Sequence, residues 1–499
     1  MLSEAQFNRY VDDGYNRIPF VVELLADLET PLSTYLKFCT EPYGFLLESL
    51  HGGETWGRYS IIGLPCTERL EITGNQVRHF SREKLLGDTT VNDPLETIRE
   101  FQSRHRVPVI DDLPRFSGGL VGYFGYNTIH FAEPAWRKRT GAIQSPRAID
   151  APDIVLMLAE ELIVFDNLSG RLSLIVHANP EQENAYDKAR ERLHHLTTKL
   201  HEPLPGHIFD ELNTTSTFNP ELDSFTQEEF KQAVERCLDY IRAGDAFQIV
   251  LSQRMKAEFN VRPIALYRAL RTLNPSPYMF FMDFDDFQIA SSSPEILARS
   301  LDGEVTLRPL AGTRKRGATA QEDLELEEDL LADPKELAEH LMLIDLGRND
   351  VGRVSKFGSV EVTEKMRIER YSHVMHIVSN VIGELRDGLD GLDVLKASFP
   401  AGTLSGAPKL RALEIIEELE PDQRGIYSGA IGYLGWHGNM DTAIAIRTAI
   451  IKDKKLYVQA GAGIVADSVP ENEWQETLNK SRAIFAAAEL ACRGFRDPL

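Results

Sequence analysis

The sequence predicts a globular protein that mixes antiparallel β-hairpins with separately capped helices. Three observations lead there. The composition, 42% hydrophobic and 26% charged over 499 residues, is that of a chain that buries a core. Short apolar runs alternate with Gly, Asn and Asp clusters, the spacing of strands and turns. Other stretches open on Thr or Asp followed by Pro or Glu, which is how helices begin. At about 150 residues per domain, the length accommodates roughly two to four domains.

In the N-terminal half, Thr30 followed by Pro31 opens a helix through LSTYLKFC. FLLESL (45–50), HGGE and TWGRYSIIGL (55–64) read as strand, Gly-rich turn and strand. ERLEITGNQVRHF (68–80) is a hairpin turning at Gly74-Asn75. RFSGGLVGYFGYN (115–127) interleaves glycines with aromatics, where glycine marks a bulge or a close backbone approach. DIVLMLAEELIVFDNLSGRLSLIVHAN (153–179) is a third hairpin, turning at Asp166–Gly170, and ENAYDKARERLHHLTTKL is a charged helix. This half reads as a β-rich scaffold. Glu48-Ser49 is the exception: two polar residues stand inside an apolar strand, and a buried polar side chain needs a partner, backbone or ligand.

Residues 201–224 carry Pro, Gly, Ser and Thr without a sustained period and read as a linker between a unit at 1–200 and a unit at 225–490. Thr226 and Glu229 form a capping box for a helix that runs to about Arg242 and stops at Gly244. DAFQIVLSQRMKAEF (245–259) is a strand with Gln248 near its start, and SPYMFFMDFDDFQIASSSPEIL (276–297) is a hairpin turning at Asp285-Asp286. RPLAGTRKRG (308–317) is a basic loop, either a solvated turn or a clamp on an anion at Gly312-Thr313. YSHVMHIVSNVIGEL (371–385) places His373 and His376 three apart on an expected helix. FPAGTLSGAPKLRALEIIEELE (399–420) is a loop feeding a helix, with Ser405 as its cap, Pro408 in its first turn and Thr403 just before it.

Two stretches carry the chemistry. In LADPKELAEHLMLIDLGRNDVGR (331–353), Asp333 caps a helix and Pro334 takes its first position. Leu337, Leu341, Leu343 and Ile344 supply the apolar stripe, while Glu336 and Glu339, three apart, share a face with His340 at its edge. In KLYVQAGAGIVADSVPENEWQETLNKS (455–481), a strand ends at Gly461-Ala462-Gly463 and a helix follows, with a capping box of Ser468 and Glu471. The glycines match G-x-G-x-x-A, but Asp467 to Pro470 intervene before the helix, which excludes a dinucleotide site. Glu473, Glu476 and Lys480 share one face of that helix. Two readings stand: two solvated acidic faces, or two carboxylate pairs flanking one Mg²⁺, a cation that takes oxygen ligands, keeps some waters and shares its shell with an anionic substrate.

The bulk properties exclude several classes. A net charge of −22 repels a phosphate backbone, so nucleic acid is not an expected partner. Cys39, Cys66, Cys237 and Cys492 are scattered, with no C-x-x-C pair, so free thiols are expected. The first residues have no apolar core of a secretory signal and no apolar run reaches membrane-spanning length, so a cytoplasmic protein with no membrane contact is expected. No Walker A loop occurs.

From about Gly14 to Ala488 the motifs run GYNRIP, FLLES, GRYSIIG, GGLVGYFGY, NPSPYMFFMDF, SSSPE, AGTRKRG, ELAEHLMLIDLGRND, YSHVMH, GTLSGAPK, YSGAIGY and AGAGIVADSVPENEWQET. In this order they resemble the chorismate-binding enzymes, and among these the large subunits that make anthranilate. The resemblance implies an α+β fold, two large antiparallel sheets packed as a sandwich with helices outside, both halves contributing to both sheets. It implies Mg²⁺ on Glu339 and Glu476 with Glu336 and Glu473 nearby. It implies chorismate at Gly312, Thr313, Tyr427, Arg447, Gly461, Ala462 and Gly463, with Thr403 and Lys480 in the pocket and His376 assisting departure of the ring hydroxyl. It implies feedback by L-tryptophan at Glu48, Ser49, Pro277, Tyr278 and Met279, and ammonia from a separate glutamine amidotransferase subunit. Relatives that add water carry a lysine where this chain has Gln248. The 4-amino-4-deoxychorismate synthases commonly carry a lysine where it has Ala311. The pair points to ammonia at C2, with formation of 2-amino-2-deoxyisochorismate as the nearest alternative.

Overall fold

The computed structural model describes residues 2–50, 57–111, 113–136, 145–206, 208, 218–371 and 374–496. The expected turn at 51–54, with Thr55 and Trp56, and His373 lie outside them. Among the described residues the strands form two sheets of twelve, every pairing antiparallel. The first runs, in spatial order, Ile18–Leu25, Arg171–Ala178, Glu161–Asp166, Tyr59–Gly63, Phe45–Glu48, Tyr278–Asp283, Phe287–Ser293, Thr448–Lys452, Lys455–Ile464, Gln248–Glu258 and Glu221–Leu222, with Gly406–Ala407 also on Gln248–Glu258. The second runs Leu310–Lys315, Val374–Glu384, Glu304–Leu307, Ile296–Leu301, Met440–Ile444, Ala430–Gly435, Gly119–Phe124, Ile154–Ala159, Glu68–Thr73, Gln76–Ser81 and Lys84–Thr90, with Glu361–Arg370 also on Val374–Glu384.

The sheets pack through alternate side chains, because successive residues of a strand point to opposite faces. Phe45 and Leu47 join Tyr123, Met157 and Ile431 of the other sheet in the core between them. Leu46, between the two, packs instead with Leu193, Leu266 and Ala487 of the helices outside. Both faces are therefore covered, which is why Ile154–Ala159 (IVLMLA) is buried at every position. The stretch 153–179 is three strands where the sequence pattern suggested a hairpin. Glu161–Asp166 and Arg171–Ala178 form that hairpin in the first sheet, while Ile154–Ala159 lies in the second; Glu160 alone makes the crossing. The two halves of the chain share both sheets: Phe45–Glu48 pairs with Tyr278–Asp283, and Gly119–Phe124 with Ala430–Gly435.

Local signals placed several helices as expected. Thr30 and Thr226 close capping boxes on Pro31–Phe38 and Gln227–Arg242, and Asp333 caps Pro334–Gly352 by accepting from the N–H groups of Lys335 and Glu336. Other expectations need correction. Residues 374–384 form a strand, not a helix, and 310–315 form its neighbour, not a loop. Ser405 is buried and donates to the Ala401 carbonyl at 3.0 Å, and Pro408 takes the cap position before Lys409–Leu419. Ser468 accepts from Val465 N–H at 3.0 Å, leaving Val469 at the cap of Pro470–Cys492. On Pro334–Gly352 the buried stripe runs through His340, Leu343 and Ile344, while Leu341 is 45% exposed. His340 Nε2 hydrogen-bonds Ser379 Oγ at 2.7 Å, while its Nδ1 is buried without a hydrogen bond to any described residue. All four cysteines are free. No described helix is long and apolar enough to cross a membrane.

Candidate active site

A cavity of about 520 Å³ opens where the Pro334–Gly352 and Pro470–Cys492 helices meet the ends of both sheets. The first helix supplies Glu336 and Glu339, the second Glu473, Glu476 and Lys480. Two acidic faces that are 134 residues apart between Glu339 and Glu473 in the chain therefore line one space. The Lys455–Ile464 strand contributes Gly461 and Gly463, which are two apart and face the same way. Ala462 between them turns its side chain into the core and is fully buried, so its expected part in the substrate site falls to its backbone alone. A Cβ on Gly461 would stand 2.9 Å from the Tyr427 hydroxyl, and one on Gly463 would stand 2.7 Å from Gln248 Nε2, so both glycines keep the wall open.

His376 reaches the cavity through strand register. It sits opposite Thr313 on the neighbouring strand, next to a bulge at Gly312, whose φ of +68° suits glycine. The His376 Nδ1 lies 3.0 Å from the Gly312 carbonyl oxygen and 3.0 Å from Thr313 Oγ1. A carbonyl only accepts, so Nδ1 carries the proton and Nε2 holds the lone pair. Burial, with Arg447 nearby, lowers the His376 pKa to about 4, so the imidazole is neutral at ordinary pH.

Glu295, in the SSSPE motif, is a wall residue that sequence reasoning passed over. It follows buried Ser291, Ser292 and Ser293, and a carboxylate ending a buried run was the available signal. Burial pushes its pKa up to about 8, against the nearby Thr403 hydroxyl, Lys480 and Arg447. Thr403 Oγ1 lies beside it, buried, without closing a hydrogen bond of normal geometry to any described residue. The Arg447 guanidinium makes no hydrogen bond or ion pair with a described residue, and burial lowers its pKa from the usual value. A half-buried guanidinium without a hydrogen bond to a described residue can take an anionic ligand.

The carboxylates are held individually. Gln248 Nε2 donates to Glu339 at 2.9 Å, Lys480 pairs with Glu476 at 2.7 Å and donates to the Gly461 carbonyl at 2.9 Å, and Arg314 reaches Glu336 at 3.2 Å. Burial and the neighbouring carboxylate raise the pKa values of Glu336 and Glu473. No described group of three or more His, Cys, Asp or Glu side chains is close enough to hold a metal by itself. Pairs of carboxylates facing one space fit a cation that completes its shell with water and substrate oxygens.

Beneath the site, Arg424 is buried and donates to Glu420, to the Val250 carbonyl at 2.7 Å and to the Leu404 carbonyl at 2.7 Å. Glu420→Ala leaves this charge buried and unpaired. Its expected cost is about 3–5 kcal/mol, read as a lowered midpoint in urea unfolding.

A second cavity, about 510 Å³, is lined by Glu48, Ser49, Pro277 and Tyr278. Met279 turns the other way and is fully buried among the outer helices. The Glu48 carboxylate accepts from the Tyr267 hydroxyl at 2.7 Å and from Arg271 Nε at 3.0 Å, so it has partners without a ligand. Tyr278 donates to partly buried Asp441 at 2.9 Å.

A sandwich of two antiparallel sheets with a carboxylate-lined cavity at its edge defines a class, and the comparisons name it. The model of the chorismate binding enzyme family matches residues 51–486, and the chain belongs to that family. It is 56% identical over 491 residues to anthranilate synthase component 1 of Pseudomonas aeruginosa, covering 98% of this chain and 99% of that one. It is 50% identical over 488 residues to the protein of that name from Aquifex aeolicus, with 97% of each covered. The crystal structure of anthranilate synthase component I from Streptococcus pneumoniae superposes with a TM-score of 0.77 at 38% identity, over 93% of this chain and 99% of that one. The menaquinone-specific isochorismate synthase of Escherichia coli shares the fold, with a TM-score of 0.70 at 21% identity over 97% and 98%.

Proposed function

We infer that the chain converts chorismate and ammonia to anthranilate, pyruvate and water, the first step of tryptophan biosynthesis, in the cytoplasm. The observation that carries this is the single cavity where two carboxylate pairs, the unpaired Arg447 and two groups of opposite protonation state meet. Chorismate is a dianion, and a protein of net charge −22 must neutralise it locally. Arg447 receives one carboxylate, beside the bare wall of Gly461 and Gly463. Glu339 and Glu476, with Glu336 and Glu473 beside them, hold Mg²⁺. A bound Mg²⁺ supplies a template and a Lewis acid for the other substrate carboxylate.

Ammonia adds at C2 as the C4 hydroxyl leaves, and the hydroxyl needs a proton. Glu295 holds one at neutral pH, whereas His376 presents a lone pair. Two groups whose environments drive their pKa values apart divide the acid and base work. Glu295 therefore protonates the departing hydroxyl and is reprotonated by the ammonium that forms at C2. His376 then removes the C2 proton and returns it to the methylene carbon of the departing enolpyruvyl group, which leaves as pyruvate while the ring becomes aromatic. This moves His376 from the hydroxyl-departure role that the resemblance implied. Gln248, neutral and bound to Glu339, cannot take a proton from water, which favours amination over hydration. Ammonia comes from a glutamine amidotransferase partner of the component II type. L-Tryptophan inhibits from the second cavity, where Ser49 and Pro277 to Tyr278 form the wall.

The test is fluorescence of the purified chain with chorismate, Mg²⁺ and ammonium. Anthranilate emission that EDTA abolishes and L-tryptophan suppresses is expected. Intact chorismate after addition of the amidotransferase subunit and glutamine sinks the reading. Because Glu295 is protonated below its pKa and ionised above it, kcat/KM per free ammonia is expected to fall as pH rises through about 8.

A further inference from the structure

We propose that Arg314 is the positioning residue that aims Glu336 at the bound cation. The inference rests on the Mg²⁺ reading above. Arg314 follows Thr313 on the Leu310–Lys315 strand and does not line the cavity. Its guanidinium reaches carboxylates on both flanking helices. Nε donates to Asp329 at 2.7 Å, Nη2 to Asp333 at 2.8 Å, and Nη1 to Glu336 Oε1 at 3.2 Å and to the Thr313 carbonyl at 3.1 Å. Asp329 belongs to the Ala320–Ala332 helix, and Asp333 is the cap of the helix that carries Glu336 and Glu339.

One planar fork therefore ties the strand that bears Thr313 to the first turn that bears Glu336. Gln248 and Lys480, which hold Glu339 and Glu476, are themselves wall residues. Arg314 differs: it acts on Glu336 from outside the cavity. It occupies Oε1 and leaves Oε2 for a ligand. A glutamate side chain in a first helical turn otherwise samples several rotamers, and fixing it lowers the entropy lost when a cation binds. Lysine cannot reproduce this, because its point charge does not span three carboxylates. The Ala320–Ala332 helix has its own anchor at the other end, where Arg316 pairs with Asp323 at 2.8 Å, and it buries Leu330. Loss of Arg314 therefore leaves that helix attached.

The experiment is Mn²⁺ titration of the full chain, followed by electron paramagnetic resonance, with chorismate present and ammonia absent. Arg314→Gln is expected to weaken Mn²⁺ binding about 10–100-fold, with Arg314→Lys between it and the unsubstituted chain. Asp329→Asn, which removes only the link to the acidic helix, is expected to bind Mn²⁺ normally. In steady state the Arg314→Gln defect should fall mainly on the Mg²⁺ concentration giving half-maximal rate. Equal Mn²⁺ affinity in Arg314→Gln and the unsubstituted chain overturns the proposal, as does an equal loss in Asp329→Asn, which would make Arg314 a clip for the helix. Should Arg314→Gln not fold, unchanged affinity in Arg314→Lys overturns it. No Mn²⁺ binding by the unsubstituted chain overturns the Mg²⁺ reading and this inference together.

Discussion

His376→Ala is expected to cut anthranilate formation by about 10²–10⁴-fold, the usual range for a lost acid–base group, while chorismate still binds. The imidazole is held by the Gly312 carbonyl and Thr313, on the side away from its free nitrogen, so its removal opens space without unpairing a buried charge. The base assignment makes a sharper demand than lost turnover. Glu295 can still protonate the leaving hydroxyl, so chorismate should be consumed into a C2-aminated, non-aromatic product. Chromatography of the reaction separates the outcomes. Unchanged anthranilate formation removes His376 from the mechanism. Loss of anthranilate with chorismate left intact returns it to the hydroxyl-departure step.

Glu339→Gln and Glu476→Gln are each expected to lower Mg²⁺-dependent turnover by about a thousandfold, since a metal's charge stabilisation is worth several kcal/mol in the transition state. Each change keeps the shape of the side chain and removes only its charge. Glu339 accepts from Gln248 and Glu476 pairs with Lys480. Neither is buried enough for its loss to unfold the chain, so melting temperatures should stay close to that of the unsubstituted protein. Raising Mg²⁺ should recover part of the activity. A variant with full activity at low Mg²⁺ excludes that residue as a ligand.

Much of this site was legible in local patterns. Asp333-Pro334 announced a helix start, and the three-residue spacing of Glu336/Glu339 and Glu473/Glu476 put each pair on one face. Turn residues at Gly74-Asn75 and Asp285-Asp286 marked their hairpins. These signals are local because capping hydrogen bonds and turn dihedrals involve residues a few positions apart. The failures came where both faces of a strand are covered. The strand Val374–Glu384 is buried without a break from Met375 to Ser379, so this part lacks the alternation that separates strand from helix, and His376 was placed on a helix.

Local sequence patterns by themselves singled out the carboxylate pairs and the polar pair at Glu48-Ser49, and the family resemblance added Gly461, Gly463 and Arg447. The tertiary structure decided where each of them lies and what it touches. Glu48 is satisfied by Arg271, 223 residues away, and Ala462 is turned from the cavity by strand alternation. Strand register, not spacing, brought His376 to Thr313 across 63 residues. Glu295 drew no reading from the sequence, and burial beside both sheets raises its pKa to about 8. Protonation state depends on desolvation and on charges brought together by packing, and neither is encoded in the few neighbouring residues from which a helix or a turn is read.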